Sequence, residues 1–182
     1  MTHSTPRQYR LFATFGVLIG LSACATPSEP TLMVVTAPPT ATVYPAPLRQ
    51  AMCVRTVTGG EDTNPLWLSK VGSQDFRTAL AASMDNAGLT AGQAGCQYPT
   101  DVNLLGLSQP AIGLDMTVTS HVNYKVYDAA GKPILLETIS APFTATFSDS
   151  PIGFVRIKRA NEGSIRANIT QFLDKLASWK RP

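Results

Sequence analysis

Apolar and polar residues alternate most regularly between Leu114 and Val126. Leu114, Met116, Val118, Val122, Tyr124 and Val126 interleave with Asp115, Thr117, Thr119, His121, Asn123 and Lys125. A period of two is that of a long strand with one buried and one wet face. Asp128-Ala-Ala-Gly-Lys132 supplies a turn, with Gly131 available for positive φ, and Ile134 to Phe147 returns as the partner strand. Pro142 has no N–H to give to a ladder, so that strand belongs at a sheet edge or carries a bulge. Upstream, Ala51 to Thr58 reads as a strand ended by Gly59-Gly60, and Val102 to Gln109 as another stopped by Pro110.

Two stretches repeat at helical spacing instead. Ser73 is placed to cap the first, Asp75 sits in its first turn, and Phe76, Ala79, Leu80, Met84 and Ala87 form its apolar stripe. Gly88 suits the residue just past its end, with Leu89 folding back on the last turn. The second stripe is Ile165, Ile169, Phe172, Leu173 and Leu176, with Lys175, Lys180 and Arg181 near its negative end. Its start falls between Pro151 and Glu162, because Gly153 and Gly163 weaken the early part. The order is strand, helix, strand, strand, strand, helix. It predicts one α+β domain over residues 48–182, an antiparallel sheet of about four strands with both helices packed on one face.

The N-terminal end is organised differently. His3, Arg7 and Arg10 precede an apolar run from Leu11 to Leu21, and small residues follow, closing on Leu21-Ser22-Ala23-Cys24. That is the layout of a secretory signal. The run is 11 residues long, whereas crossing a bilayer core takes about 20, which disfavours the alternative of an uncleaved transmembrane anchor. The closing tetrapeptide resembles the lipobox of bacterial lipoproteins. The resemblance implies that residues 1–23 are removed as a signal peptide and that Cys24 carries the lipid. Ala25 stands where Asp commonly retains such proteins at the inner membrane, so the resemblance also implies the periplasmic face of the outer membrane.

Residues 24–47 are rich in Pro, Thr and Ala. This composition favours extended conformations and buries little, so the segment reads as a tether, reaching about 70 Å if fully extended. The alternative is that Thr31 to Thr36, with Leu32, Met33, Val34 and Val35, dock on the domain as a short β-segment.

Composition narrows the function classes. The formal charge of +3 falls to +1 once Arg7 and Arg10 leave with the signal, and no clustered basic face marks a nucleic-acid binder. Arg156, Lys158, Arg159 and Arg166 read as a solvated helix face, with an anionic-lipid contact as the alternative. With Cys24 given to lipid, Cys53 and Cys96 remain, and an oxidising periplasm would join them as a disulfide; two separate buried thiols are the alternative. His121 is the one histidine after the signal, which leaves no metal-ligand set and no Cys-His nucleophile. Neither a Gly-x-Ser-x-Gly elbow nor a phosphate-binding Gly loop nor His-Glu-x-x-His occurs. No catalytic residue and no cofactor is therefore expected.

Two residues stand out as partner contacts. Trp67 lies in the apolar loop Pro65-Leu-Trp-Leu, where anchoring a partner and plain packing are the two readings. His121 lies on the polar strand face, as a pH-sensitive contact or simply an exposed strand residue. Asp115 and Glu137 would serve acid/base chemistry only if the register brought them together.

The helix Phe76-x-x-Ala79-Leu80-x-x-Ser83-Met84-x-x-Ala87-Gly88-Leu89 and the hairpin Tyr124-x-Val126-Tyr127-Asp128-x-x-Gly131-Lys132 sit behind a lipobox and a Pro-rich segment. This arrangement resembles the lipopolysaccharide-assembly lipoprotein and the auxiliary lipoproteins of ABC-type lipid transporters. The resemblance implies a non-enzymatic accessory role, binding an envelope transport or assembly protein at the outer membrane. The competing expectations are a lipid or glycolipid carrier and a hydrolase with an unfamiliar site.

Overall fold

The computed structural model describes residues 25–36, 43–64, 66, 68–92 and 95–180. Its elements are helix α1 (Pro30–Met33), strand β1 (Met52–Gly59), helix α2 (Ser73–Asn86), strands β2 (Tyr98–Ser108), β3 (Met116–Tyr127) and β4 (Pro133–Ala145), and helix α3 (Gly153–Ala177). The four strands form one open sheet in the order β1-β2-β3-β4.

The sheet is mixed, which corrects the antiparallel expectation. β2–β3 and β3–β4 are antiparallel, but β1 and β2 are parallel. The reason is the helix between them. α2 carries the chain back along the sheet by about 1.5 Å per residue, so β2 restarts at the end where β1 began. The hairpin is where the alternation placed it, with Gly131 at φ +81° and the Asp128 carboxylate accepting the N–H groups of Ala130 and Lys132. β4 is an edge strand, as Pro142 requires.

α2 ends as its sequence demands. Gly88 has φ +68° and the Leu89 N–H returns to the Met84 carbonyl at 3.0 Å, with Leu89 fully buried. Its start differs by one residue. Gly72 is the N-cap and Ser73 is already helical, with no side-chain cap bond. Both helices pack on the same face of the sheet. Phe76, Leu80 and Met84 of α2 meet Val102, Leu104, Val122 and Val126 of the sheet and Ile165, Ile169 and Phe172 of α3 in one buried cluster.

Polar residues are buried inside that interface. Asn161, Ser164 and Asn168 of α3 recur at the spacing of its apolar stripe and have no exposed surface. The Asn168 amide donates to the carbonyls of Ser120 and Ile139 and to the Ser120 hydroxyl, and accepts from the Tyr124 hydroxyl at 2.9 Å. The Ser120 hydroxyl donates to the Ser164 carbonyl at 2.9 Å, and Asn161 donates to the Ser69 carbonyl at 2.8 Å. The Tyr124 ring stacks on Phe172 at 4.1 Å between centroids.

The tether expected over 24–47 is corrected within the described residues. Met33, Val35, Tyr44 and Leu48 belong to the core cluster. Residues 25–36 form a strap across α2 and α3. The strap adopts one helical turn at α1 and then extended backbone, rather than a strand of the sheet. Hydrogen bonds explain why a Pro-rich segment is held. The Val35 N–H donates to the Ser83 hydroxyl at 2.9 Å, Asn86 donates to the Val35 carbonyl at 3.1 Å, and Arg166 donates to the Leu32 carbonyl at 2.7 Å. Side chains of α2 and α3 thus supply partners that a proline-broken backbone cannot find within itself.

Replacing Asn168 by Ala strands the Tyr124 hydroxyl and two strand carbonyls in the core, at a cost of about 2–3 kcal/mol. The melting temperature is expected to fall by about 5–10 °C. An unchanged thermal-unfolding midpoint would show that the seam is not stabilising.

Candidate functional site

Among the described residues, the outer side of β4 has no strand beside it. Pro133 and Pro142 bracket residues 134–141, a proline-free stretch whose backbone is open to pairing on that side. α3 sits close against this edge because residue 163 is glycine. A Cβ there would fall 2.3–2.5 Å from ring atoms of Phe143, so the ring occupies the space a side chain would fill. That contact accounts for a glycine in mid-helix despite its cost of about 1 kcal/mol relative to alanine.

Two adjoining cavities of about 320 and 340 Å³ share Phe143, Gly163 and Arg166 and form one groove along α3. Leu32 and Val35 of the strap wall one side, and Asp149, Arg159 and Thr170 complete the rim. The groove is open at the surface. The layer between the sheet and the helices is filled by Phe76, Leu80, Tyr124 and Phe172, each fully buried.

Of the basic residues around the groove, Arg159 and Arg166 are exposed as their spacing suggests, whereas Arg156 is buried and Lys158 half-buried. Arg156 is 5% exposed; it donates to the Ser150 and Gly113 carbonyls and lies 5.4 Å over the Phe147 ring. Arg159 donates to the Asp149 carbonyl and Arg166 to the Leu32 carbonyl. Lys158 pairs with Glu29 of the strap at 2.5 Å and lies 3.8 Å from Glu162. α3 therefore spends its cations fastening loops to itself. Glu162 is buried and accepts the Glu29 N–H at 2.9 Å. Desolvation pushes its carboxyl above the ordinary carboxylate range, opposed by that N–H and by Lys158.

The opposite face of the sheet is polar and open. His121 is held there between hydroxyls, Nδ1 2.8 Å from Ser140 Oγ and Nε2 3.1 Å from Ser108 Oγ. A serine beside a histidine is the beginning of a nucleophile arrangement. Here both ring nitrogens are engaged by hydroxyls and no carboxylate among the described residues orients the ring, so the geometry is that of a strand-to-strand bridge. At the β1 side, Arg55 clamps Asp101 in a bidentate pair at 2.8 and 2.5 Å, and the Thr56 hydroxyl donates to the same carboxylate. The Arg55 guanidinium holds the Asp101 carboxyl down at about 2, helped by Thr56 and opposed by partial desolvation. Arg55 also lies 4.9 Å over the Tyr127 ring.

Asp115 and Glu137 are not brought together. Asp115 accepts the Phe147 N–H at 3.0 Å at the start of β3, whereas Glu137 lies opposite Tyr124 and pairs with Lys175. Nine residues of strand separate the two levels, about 30 Å. Cys53 and Cys96 are joined as a disulfide with Cα atoms 5.6 Å apart, tying the start of β1 to the turn that leads into β2. Cys24 and Trp67 lie outside the described residues. Among the described residues no group of His, Cys, Asp and Glu is arranged to hold a metal ion.

The buried seam of Asn161, Ser164 and Asn168 escaped the sequence reading, although the signal was present. Polar residues at intervals of three and four on the same face as Ile165, Ile169 and Phe172 mark a buried polar stripe. The groove had no comparable signal, since it depends on where the strap lies.

No protein-family model matches the chain, and no curated protein matches it. Among solved structures it is similar to a DUF330-family protein from Xanthomonas campestris, at 14% identity over 85% of this chain and 94% of that one, with a TM-score of 0.49. It is also similar to a candidate lipoprotein of Caulobacter crescentus CB15, at 16% identity over 57% of this chain and 83% of that one, with a TM-score of 0.44. A minor lipoprotein of Acinetobacter baumannii is similar at 12% identity over 68% of this chain and 92% of that one, with a TM-score of 0.43.

The disulfide closes a loop with a sequence separation of 43 residues. Reduction is expected to destabilise the domain by about 3–4 kcal/mol, read as a lower melting temperature in dithiothreitol; equal midpoints with and without reductant would remove that contribution. The Asp101 carboxyl titrates near 2 when folded against an ordinary 3.8, so its clamp stabilises above pH 3.8 and is lost as pH falls towards 2. Asp101→Asn is expected to flatten the acid-side decline in melting temperature across that window. Parallel curves for variant and wild type would contradict this.

Proposed function

We propose that this chain is a lipid-anchored accessory protein of the bacterial envelope that binds a partner protein and catalyses nothing itself. The anchoring rests on Cys24 behind its basic segment, apolar run and small residues, and the lipoprotein resemblance, with Ala25 where Asp would retain the protein at the inner membrane, implies the outer membrane. The observation that supports a protein-binding role is the free outer edge of β4 beside the groove of Leu32, Phe143, Arg159 and Arg166. An extended segment of a partner fits such an edge, adding a strand along residues 134–141 and setting side chains into the groove. The guanidinium groups at the groove keep donors beyond those given to backbone carbonyls, which favours a carboxylate on that segment.

The rival readings have less to rest on. A lipid carrier calls for an interior chamber, and the layer where one would lie is filled with aromatic and aliphatic side chains. A hydrolase built on His121 lacks an orienting acid at the ring.

Cys24→Ser is expected to move the protein from the membrane to the soluble periplasmic fraction, or to leave an unprocessed precursor. A variant still extracted only with detergent would remove the lipid anchor. For the contact, a photo-crosslinker at Leu136 on β4, 61% exposed, is expected to capture a defined envelope protein in cells, and one at Leu105 on the central strand β2 is not. Equal capture at both positions, or at neither, would count against the β4 edge.

A further inference from the structure

Ten large apolar side chains are exposed among the described residues, and six of them lie at one end of the domain. Leu66 is in the β1–α2 loop, Ile112 and Leu114 are in the β2–β3 loop, and Phe147 and Ile152 lead into Phe154 at the start of α3. These connections share an end because of the topology. β1 and β2 run parallel, β3 starts where β2 stops, and β4 runs back to the start of β3. Ile112 and Leu66 are 91% and 86% exposed, more than any other large apolar residue described.

The loops that carry these tips are fastened to one another. The Arg156 guanidinium bridges the Gly113 and Ser150 carbonyls, Asp115 accepts the Phe147 N–H, and Gln109 donates to the Ser69 carbonyl at 2.8 Å. The tips therefore form one surface rather than independent loops.

The strap brings its N-terminal end to the same place. The Ser28 and Ser69 hydroxyls lie 3.4 Å apart, and Ala25 is buried, at 6% exposure. Ala25, the first described residue of the strap, is three residues from Ser28, within about 11 Å of it along the chain. A lipid on Cys24 would thus leave the domain beside its largest exposed apolar surface, not at the end of a long tether.

The geometry points to this loop end as the membrane-contacting surface of the domain: acyl chains on Cys24 and the tips Leu66, Ile112, Leu114, Phe147, Ile152 and Phe154 enter the same leaflet, with the sheet standing away from it. The inference rests on the anchoring proposed above and adds an orientation to it. Interfacial apolar groups of this kind enter about 5–10 Å into the headgroup and acyl boundary. Asp115 and Asp149 stand among the tips, Arg156 is turned inward and the exposed Arg159 is engaged by the Asp149 carbonyl, so the attachment relies on apolar insertion rather than on anionic lipid. It should accordingly survive high salt.

The test uses the full lipidated protein reconstituted in vesicles of phosphatidylethanolamine with a minority of phosphatidylglycerol. One variant carries an environment-sensitive label at Ile112→Cys, another at Ala129→Cys in the β3–β4 hairpin, about 40 Å away along a strand of 12 residues. The expected result is a blue shift and quenching by nitroxide lipids at residue 112, retained in high salt, with an aqueous spectrum at residue 129. Acylation of Cys24 is read independently from the mass of the N-terminal peptide. An acylated protein with both labels aqueous would overturn the orientation and leave the anchor standing. Protection of the residue 112 label from both lipid-borne and aqueous quenchers would place a protein on this end and overturn it too. A chain with no acyl mass, left unbound by vesicles, would overturn the anchoring and the orientation together.

Discussion

The Asn168 amide, buried between α3 and the hairpin strands β3 and β4, is the constraint on which the other features of this fold depend. It is engaged by the Tyr124 hydroxyl and by carbonyls of two neighbouring strands, and the Tyr124 ring in turn lies flat on Phe172. Apolar packing alone tolerates small slides and rotations of a helix across a sheet. A satisfied polar network does not, because each displacement leaves buried donors or acceptors unpaired in a low-dielectric interior. Ser164 and Asn161 extend the same constraint towards the start of α3, ending on the Ser69 carbonyl. The helix is therefore fixed along its length, in rotation as well as in height.

The strap, the connection from β4 and the Phe143 ring are attached to that fixed helix. Arg166, Lys158 and Glu162 hold the strap, Arg159 and Arg156 hold the connection from β4, and Gly163 receives the Phe143 ring. The groove is the space left between these attachments. Its shape is set by α3, with the edge of β4 on one side and the strap on the other. Individually, exposed charge pairs such as Lys158 with Glu29 contribute little. Their effect here is positional, since each decides where a loop lies on a surface that packing has already made rigid.

Much of this was legible in the sequence, and the exceptions have a common cause. The period-two run, the Asp128–Gly131 turn, the Gly88 end of α2 and the edge placement of β4 are local signals, carried by residues close together in the chain. The parallel pairing of β1 with β2 follows from the strand-helix-strand order only once α2 is seen to carry the chain back along the sheet, which the local pattern of either strand does not show. The Pro-rich segment read as a tether from composition, and composition says nothing about partners far away in the chain. The Val35 N–H finds the Ser83 hydroxyl 48 residues on, and Arg166 finds Leu32 across 134. The same distance hid the roles of Arg156, Arg159 and Arg166, whose spacing looks like an ordinary solvated helix face until their loop carbonyls are in place.

The docked strap also changes what an anchor at Cys24 would mean for the molecule. A free tether of about 70 Å would let the domain sample many orientations and heights above the membrane. A strap held by Ser83, Asn86, Lys158, Glu162 and Arg166 removes most of that freedom before any partner is met. Loss of orientational freedom is a large part of the cost of association. A domain already set upright on its loop end would present the β4 edge to its surroundings at a fixed height and angle, so a partner held in the same membrane would meet it with less entropy left to lose. On this view the proline content serves the same end. Prolines limit the conformations open to the strap when it is not docked, and so reduce what docking must overcome.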